Sequence, residues 1–352
     1  MKTIIATVVS FFLYSIVNAQ TLTIHAVGDI LLHKKLQRKG IAHGFEVIWQ
    51  PTIPFLQQAD LAYANLEGPI AEDINKRGQQ VSNYRDIFKI YSSFPMFNYH
   101  PSLAASLKRS GIDIVSTANN HSLDRYGIGI DKTITALDKV NIDHIGTQSR
   151  ITPSTWYKLT QLKDITLAWI SCTQDTNGIS DPAKQVLYCY KKGDNQKILD
   201  LIGSLRTKVD AIIVTPHWGV QYQSYPNKQQ KMFARKWLEQ GATIILGSHP
   251  HVIQPIKYYQ TQDGRRTLIA YSLGNFVSNQ GSLKNRSSGV LALKLTKENN
   301  TLEISQVTFY PTYMQNRGGK LHLEWVTSTR HPSYRHLKRI VGQQFIRLQK
   351  EN

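Results

Sequence analysis

Five apolar segments of the chain each end in residue types that bind metal ions. Each segment is rich in aliphatic residues, as buried strands are, and each runs into a turn that contains Gly, Ser, Pro or Asn. The segments read AVGDI, AYANLEG, IVSTANNH, IIVTPHWG and ILGSHPHV. Because the carboxyl ends of parallel strands meet at one edge of a sheet, this pattern predicts an α/β fold with a shared site.

The candidate ligands at these ends are two acids, one amide and three imidazoles. They are Asp29, Glu67, Asn120, His217, His249 and His251. Such oxygen and nitrogen donors suit Zn²⁺, Mn²⁺ or Fe²⁺, and the lack of thiolates argues against a closed structural zinc site. A single ion seldom takes six protein ligands, so we predict two divalent ions that share one bridging carboxylate.

The order of apolar segments predicts one α/β domain with two mixed sheets flanked by helices. Strand, loop and helix alternate in the first half, and the last third is rich in strands. Turn residues predict three hairpins, at Lys163–Asp164, Asp263–Gly264 and Asn299–Asn300. We place this domain at residues 20–329, followed by a basic C-terminal helical segment at residues 330–352.

Residues 1–19 have the composition of a secretory signal peptide. Lys2 precedes an apolar run from Ile4 to Val17, and small residues come before Gln20. An uncleaved anchor is the alternative, but the run is shorter than the roughly 18 apolar residues of a membrane-spanning helix. We therefore predict export to the periplasm, the medium or the cell surface.

The chain is strongly basic, with 42 Lys and Arg against 24 Asp and Glu and a net charge of +18. Removing the predicted signal peptide, whose only charged residue is Lys2, lowers this charge by one. An exported protein of this charge is expected to attract an anionic partner such as an acidic glycan, polyglutamate, teichoic acid or lipid headgroups. A solvated basic surface is the alternative, and the compartment argues against nucleic acid.

The chain has two cysteines, Cys172 and Cys189. In an oxidising compartment an even count favours a disulfide between them. A buried pair of free thiols is the alternative, since the bridge requires Cα atoms within roughly 7 Å.

Six motifs in order resemble those of one known family. They read GDILL, NLEGP, STANNHSLDRYGIGI, HWGVQY, GSHPHV and YSLGNF. Over about residues 23–276 the series resembles the CapA family of capsule-synthesis proteins, also called the poly-γ-glutamate synthesis family, within the calcineurin-like metallophosphoesterase superfamily. The resemblance implies a metallophosphoesterase-like sandwich of two sheets between helices, with a dinuclear metal centre at the strand ends.

The resemblance also implies ligands for a first metal ion. Asp29 and His251 would bind it, and Glu67 would take the bridging position. The chain departs from the superfamily pattern at Leu31, where a histidine is usual, and in having Glu67 where an aspartate is usual. His33 is expected to point elsewhere, so the first metal site is expected to be weaker than the second.

The second ion would bind to Asn120, His217 and His249. His121 would face the substrate as an acid or as a group that stabilises the phosphate. Asp124, three residues further on, either orients the His121 imidazole or caps the helix that follows.

Three functions are consistent with these features. The first is an exported CapA-like protein that acts on poly-γ-glutamate or a related anionic envelope polymer, by hydrolysis or by acyl or phosphoryl transfer, alongside a membrane-bound capsule-synthesis complex. The second is a metal-dependent phosphoesterase with another envelope substrate. The third is a non-catalytic binding or transport component with a degenerate metal site, which Leu31 favours.

Overall fold

The computed structural model describes residues 19–82, 84–152 and 154–349, so most of the predicted signal peptide lies outside the described residues. The strands are β1 (Gln20–Ile30), β2 (Leu61–Leu66), β3 (Ile114–Ser116), β4 (Asp143–Ile145), β5 (Lys158–Leu162), β6 (Ile165–Thr173), β7 (Ala211–His217), β8 (Ile244–Leu246), β9 (Ile256–Gln260), β10 (Arg266–Ala270), β11 (Asn275–Val277), β12 (Ser287–Glu298), β13 (Thr301–Gln315) and β14 (His322–Trp325). The helices are α1 (Lys34–His43), α2 (Ile53–Leu56), α3 (Ser102–Arg109), α4 (Tyr126–Asp138), α5 (Lys192–Leu205), α6 (Lys228–Gln240), α7 (Leu283–Arg286) and α8 (Pro332–Val341).

The first sheet has eight strands and is mixed. Its order is β14-β13-β12-β1-β2-β3-β4, and β11 pairs in parallel with the end of β1. Strands β1 to β4 run parallel to one another, whereas β12, β13 and β14 form an antiparallel meander beside β1. The carboxyl ends of β1, β2 and β3 therefore open at the same end of the sheet.

The second sheet has six strands in the order β5-β6-β7-β8-β10-β9. Its four central strands are parallel, and β5 and β9 are antiparallel edge strands. The three predicted hairpins are present as β5–β6, β9–β10 and β12–β13. Residues Lys163, Asp164, Asn299 and Asn300 adopt positive φ in their turns, as tight hairpin turns require.

Three apolar layers hold the sheets and helices together. One lies between the two sheets and includes Ile24, Trp169 and Leu291. The second joins the outer face of the first sheet to α1, α3 and α4, and the third joins the outer face of the second sheet to α5 and α6. The predicted fold class, two mixed sheets packed as a sandwich and flanked by helices, is confirmed.

Residues 31–60 contain structure that the apolar pattern did not reveal. Helix α1 buries only Leu36, Gln37 and Gly40, and its N-cap residue, His33, makes no side-chain capping hydrogen bond. The helix therefore lacks both the wide apolar stripe and the polar cap by which a helix is recognised in a sequence.

Helix α8 lies in the basic C-terminal segment and closes one side of the sandwich. Its Tyr334, Leu337, Ile340 and Val341 side chains are buried in the layer between the sheets. Within the part of the chain that the structure describes, no helix combines the length and the apolar character needed to cross a bilayer.

The predicted disulfide joins Cys172, in β6, to Cys189, with their Cα atoms 5.1 Å apart. It closes a loop between positions separated by 17 residues. A loop of this size implies that the double variant Cys172→Ser/Cys189→Ser loses about 3 kcal/mol of unfolding free energy. Urea denaturation of parent and variant, each with and without reductant, measures this loss. Equal midpoints in the absence of reductant would contradict the prediction.

Candidate metal centre

The ligand-type residues predicted from the sequence meet between the two sheets, at one end of the sandwich. Asp29 lies in β1, Glu67 follows β2, and Asn120 follows β3, so the first sheet supplies three of them. His217 ends β7, and the turn after β8 supplies the last two, His249 and His251. All six side chains are buried, with relative exposures of 6% or less.

Asp29 and His251 form one half of the site. The Oδ2 atom of Asp29 lies 3.0 Å from Nδ1 of His251, and its Oδ1 atom accepts a hydrogen bond from Nδ2 of Asn65 at 2.8 Å. The amide of Asn65 also lies 3.3 Å from Nδ1 of His217. Asn65 therefore connects this half of the site to the other half.

His217 is the centre of the other half. Its Nε2 atom lies 2.8 Å from Oδ1 of Asn120, 3.0 Å from Nδ1 of His249 and 3.6 Å from Oε1 of Glu67. The opposite ring nitrogen, Nδ1, lies 2.9 Å from Oγ of Ser248, which fixes the orientation of the imidazole.

The carboxylate of Glu67 lies between the two halves, and among the described residues it has no hydrogen-bond partner. Both of its carboxylate oxygens are buried and unbonded among the described residues. Its Oε1 atom is 3.6 Å from a ring nitrogen of His217 and 3.6 Å from Nε2 of His251. Burial, followed by the negative charges of Asp29 and Asp124, raises the pKa of the Glu67 carboxyl well above its usual range.

The donor set fits a divalent metal ion. Asp29, Glu67 and His217 can each offer one ligand atom within 4.8 Å of the others. Bonds of about 2.1 Å place neighbouring ligand atoms roughly 3.0 Å apart around an octahedral ion, close to the spacings at His217. A buried carboxylate with no donor is costly unless it is paired or coordinated to a metal, and this is the environment of Glu67.

The imidazoles are held in the form that binds metal. Burial is the main cause that lowers the pKa of His217 well below its usual range, and the neighbouring His249, His251 and His121 lower it further. Burial and His251 also lower the pKa of His249 to about 4. At neutral pH both rings are uncharged, so a lone pair is available to a cation.

The turn that carries His249 and His251 has an unusual backbone. Both residues have positive φ, 97° for His249 and 57° for His251. Such conformations cost of order 1–3 kcal/mol each in residues other than glycine, and they cluster at functional sites. Here they direct two imidazoles from one short turn into the same buried region.

His121 lies beside the metal-type residues and is held by Asp124. The Nδ1 atom of His121 is 2.7 Å from Oδ2 of Asp124, which also accepts a hydrogen bond from the backbone N–H of Phe97 at 2.6 Å. Helix α4 has Arg125 as its N-cap residue, so Asp124 contacts the imidazole rather than capping the helix. The ring of Phe97 packs edge-on against His121 at 4.7 Å.

Two site residues that the sequence interpretation missed come from the disulfide-closed loop. Gln174 accepts a hydrogen bond from the backbone N–H of Gly219, and its Nε2 atom lies 3.1 Å from Nε2 of His249. Asn177 accepts a hydrogen bond from the amide of Asn120 at 3.1 Å. Their position could have indicated this role, because they follow β6, and β6 runs parallel to β7 and ends beside it.

Leu31 and His33 occupy different surroundings. Leu31 is buried in the apolar layer outside the first sheet, so it offers nothing to a metal ion. His33, expected to point elsewhere, instead lies at the edge of the site, where its ring packs edge-on against Phe97 at 5.7 Å. Its pKa is lowered to about 4 by burial and then by the nearby His251 and His121.

Together, the fold and these converging side chains define an α/β sandwich protein with a candidate metal centre at the strand ends. Residues 23–280 match the family model described as bacterial capsule synthesis protein PGA_cap. The match covers most of the chain, and the chain therefore belongs to this family.

Curated relatives agree with this assignment. The chain is 28% identical over 273 residues to the PGA biosynthesis protein CapA of Bacillus subtilis, covering 77% of this chain and 67% of the relative. It is 25% identical over 297 residues to the capsule biosynthesis protein CapA of Bacillus anthracis, covering 80% and 66%. The matched regions thus span about two thirds of the relatives' length.

A solved structure similar to this chain is the calcineurin-like phosphoesterase YfkN from Bacillus subtilis. It matches with a TM-score of 0.46 and 14% identity, over 92% of this chain and 96% of that one. A putative 5′-nucleotidase from Staphylococcus aureus matches with a TM-score of 0.48 and 14% identity, over 91% and 58%.

Proposed function

We propose that this protein is an exported, metal-dependent component of capsule synthesis that acts on an anionic envelope polymer of the poly-γ-glutamate type. Membership of the capsule-synthesis family supports the pathway, and the net charge of +18 supports an anionic partner. The observation that carries the metal dependence is the buried carboxylate of Glu67, which has no donor within the described part of the chain and lies close to the ligand-type atoms of Asp29 and His217.

In this proposal Glu67 would be shared by two ions of the Zn²⁺, Mn²⁺ or Fe²⁺ class. Asp29 and His251, whose side chains lie 3.0 Å apart, would hold one ion. Asn120, His217 and His249 would hold the other ion. When bound, these ions supply Lewis acidity that polarises a phosphoryl or carbonyl oxygen.

His121 is the protein group placed to handle a proton. Asp124 lies against its Nδ1 atom, so Nε2 is the ring nitrogen left for substrate. The Asp124 carboxylate stabilises the positive charge that the ring gains when Nε2 takes up a proton. Asp124 and Phe97 together fix the ring orientation, and the burial of the site keeps bulk water away from it.

A second candidate function is a polymer-binding component without catalysis. Leu31 favours it, because a leucine buried in the apolar layer outside the first sheet stands where members of the metallophosphoesterase superfamily usually have a histidine. The two functions differ in whether the mature protein holds metal and turns over substrate, so metal content is the first measurement to make.

Metal analysis of the purified mature protein is expected to find about one or two divalent ions per chain. His217→Ala and His249→Ala are each expected to weaken metal binding by at least about 10²-fold. Each removes a donor from the half of the site that contains Asn120, which is expected to bind metal more strongly. Elemental analysis and metal titration measure both effects, and phosphodiesterase and polyglutamate cleavage assays run in parallel.

His43→Ala, at the exposed end of α1, is the control for loss of a histidine. A parent protein without bound metal, even after incubation with Mn²⁺ or Zn²⁺, would leave only the non-catalytic function. Cleavage activity that survives both site substitutions would show that the chemistry occurs elsewhere. If only one ion binds, His249→Ala is expected to reduce binding more than His251→Ala.

A further inference from the structure

The C-terminal part of the chain carries positive charge without any negative charge beside it in sequence. Between Trp325 and Gln349 there are five Lys and Arg residues and no Asp or Glu. They are Arg330, Arg335, Lys338, Arg339 and Arg347. Among the described residues none of these five takes part in a salt bridge, whereas many other cations of the chain are paired.

Helix α8 presents three of these charges on one outward face. Arg335, Lys338 and Arg339 are exposed and are spaced three and four residues apart, so they are neighbours on the helix surface. Like charges at this spacing repel one another, and no acidic side chain on the helix offsets them. The opposite face of α8 is buried in the layer between the sheets.

This face connects to the candidate metal centre through α7. Helix α7 packs against α8, and the charges of Lys284 in α7 and Arg339 in α8 both lower the pKa of His336, after burial. The Nζ atom of Lys284 donates a hydrogen bond to the backbone carbonyl of Tyr222 at 2.6 Å. The ring of Tyr222 in turn lies 6.1 Å from the ring of His251.

We propose that Lys284, Arg335, Lys338 and Arg339 form a cationic strip that binds an extended anionic polymer whose reacting bond lies at the candidate metal centre. The polymer's identity rests on the proposed function, whereas the strip rests on its unpaired charges. A rise of 1.5 Å per residue makes a ten-residue helix such as α8 about 15 Å long, which suits several repeats of a chain with one negative charge per unit.

A polymer fits the strip better than a membrane surface does. Helices that lie in a bilayer interface insert an apolar face below the headgroups. The apolar side chains of α8 are buried in the protein core and cannot insert into a bilayer. They are Tyr334, Leu337, Ile340 and Val341. The exposed face of α8 therefore offers charged side chains, which are complementary to a dissolved polyanion.

The test uses the mature protein and fluorescently labelled poly-L-glutamate, with binding measured by anisotropy at several salt concentrations. The variant Arg335→Gln/Lys338→Gln/Arg339→Gln removes three charges from α8. The matched control, Lys228→Gln/Lys231→Gln/Lys236→Gln, removes three exposed charges from α6, on the far side of the second sheet. Thermal unfolding and metal content verify that both variants fold like the parent.

We expect the α8 variant to bind long poly-L-glutamate about tenfold more weakly than the parent and the α6 variant to change by less than about threefold. Tetraglutamate offers far fewer charges to the strip, so it is expected to lose less affinity than the long polymer. An equal loss in both variants would show that net charge alone attracts the polymer and would overturn the strip, as would unchanged binding by the α8 variant.

Vesicles of phosphatidylglycerol, compared with vesicles of phosphatidylcholine, distinguish the membrane alternative. Loss of phosphatidylglycerol binding by the α8 variant, with poly-L-glutamate binding unchanged, would assign this face to a membrane and overturn the proposal. Absence of metal from the parent would contradict the proposed function alone, because polymer binding to the strip needs no metal.

Discussion

Glu67→Gln is expected to stabilise the metal-free protein at neutral pH and to remove the stabilisation that a divalent ion gives the parent. In the metal-free parent the buried carboxyl has a raised pKa, so the folded chain keeps a proton that the unfolded chain releases. The free energy of unfolding therefore falls as pH rises from the ordinary pKa of glutamate, 4.5, to the raised value. Glutamine has no proton to release, so the variant loses this pH dependence.

A divalent ion is expected to stabilise the parent and not the variant. A ligand present at a hundred times its Kd stabilises the native state by about 2.7 kcal/mol, and the parent is expected to show a gain of this order. The variant, whose amide cannot bridge as a carboxylate does, is expected to gain close to nothing. Thermal unfolding from pH 5 to pH 8, with EDTA or with added Mn²⁺ or Zn²⁺, measures both effects.

Glu303→Gln is the control, because it removes an exposed carboxylate from β13. It is expected to leave the metal-dependent gain unchanged. A Glu67→Gln protein that still gains the parent's full stability from metal would show that this carboxylate is not a ligand.

Gly28→Ala is expected to destabilise the protein by about 3 kcal/mol and to weaken metal binding. A Cβ atom at Gly28 would lie 1.9 Å from the carbonyl oxygen of Gly274 and 2.8 Å from that of Leu273. Both contacts are with backbone, so the segment that leads into β11 must move. That movement strains the hydrogen bond from the N–H of Asp29 to Gly274 and displaces a candidate ligand.

Gly193→Ala provides a matched control, since a Cβ atom at Gly193, in helix α5, meets no atom within 4 Å. Alanine has the higher helix propensity, so this variant is expected to be as stable as the parent or slightly more so. Urea denaturation and metal titration compare the two variants. A Gly28→Ala protein with the stability of Gly193→Ala would show that β11 does not approach β1 so closely.

Much of the site was predictable because its ligands sit directly at the ends of apolar strands. Parallel strands bring their carboxyl ends together, so Asn120 and His217, from different sheets, meet within 2.8 Å. The sandwich and its hairpins were predictable for a related reason. Apolar segments that alternate with turn residues are a local property of the sequence.

The parts of the fold and the site that were not predicted depend on long-range contacts, which a local sequence pattern does not indicate. Gln174 and Asn177 reach the site from the loop that the Cys172–Cys189 bridge closes, and their partners lie far away in sequence. Helix α1 forms although its buried face is small and partly polar. His33 faces Phe97 only because the loop before α3 folds back over the strand ends.

The sequence separation within the site bears on how the protein matures. Asp29 and His251 face each other across 222 residues of chain, and Asn120 and His217 lie between them in sequence. No incomplete chain can assemble the donor set, so metal capture at this site would be a late event in folding. A chain that crosses a membrane unfolded would take its ion from the compartment in which folding finishes, and the metals available there would decide which one it carries.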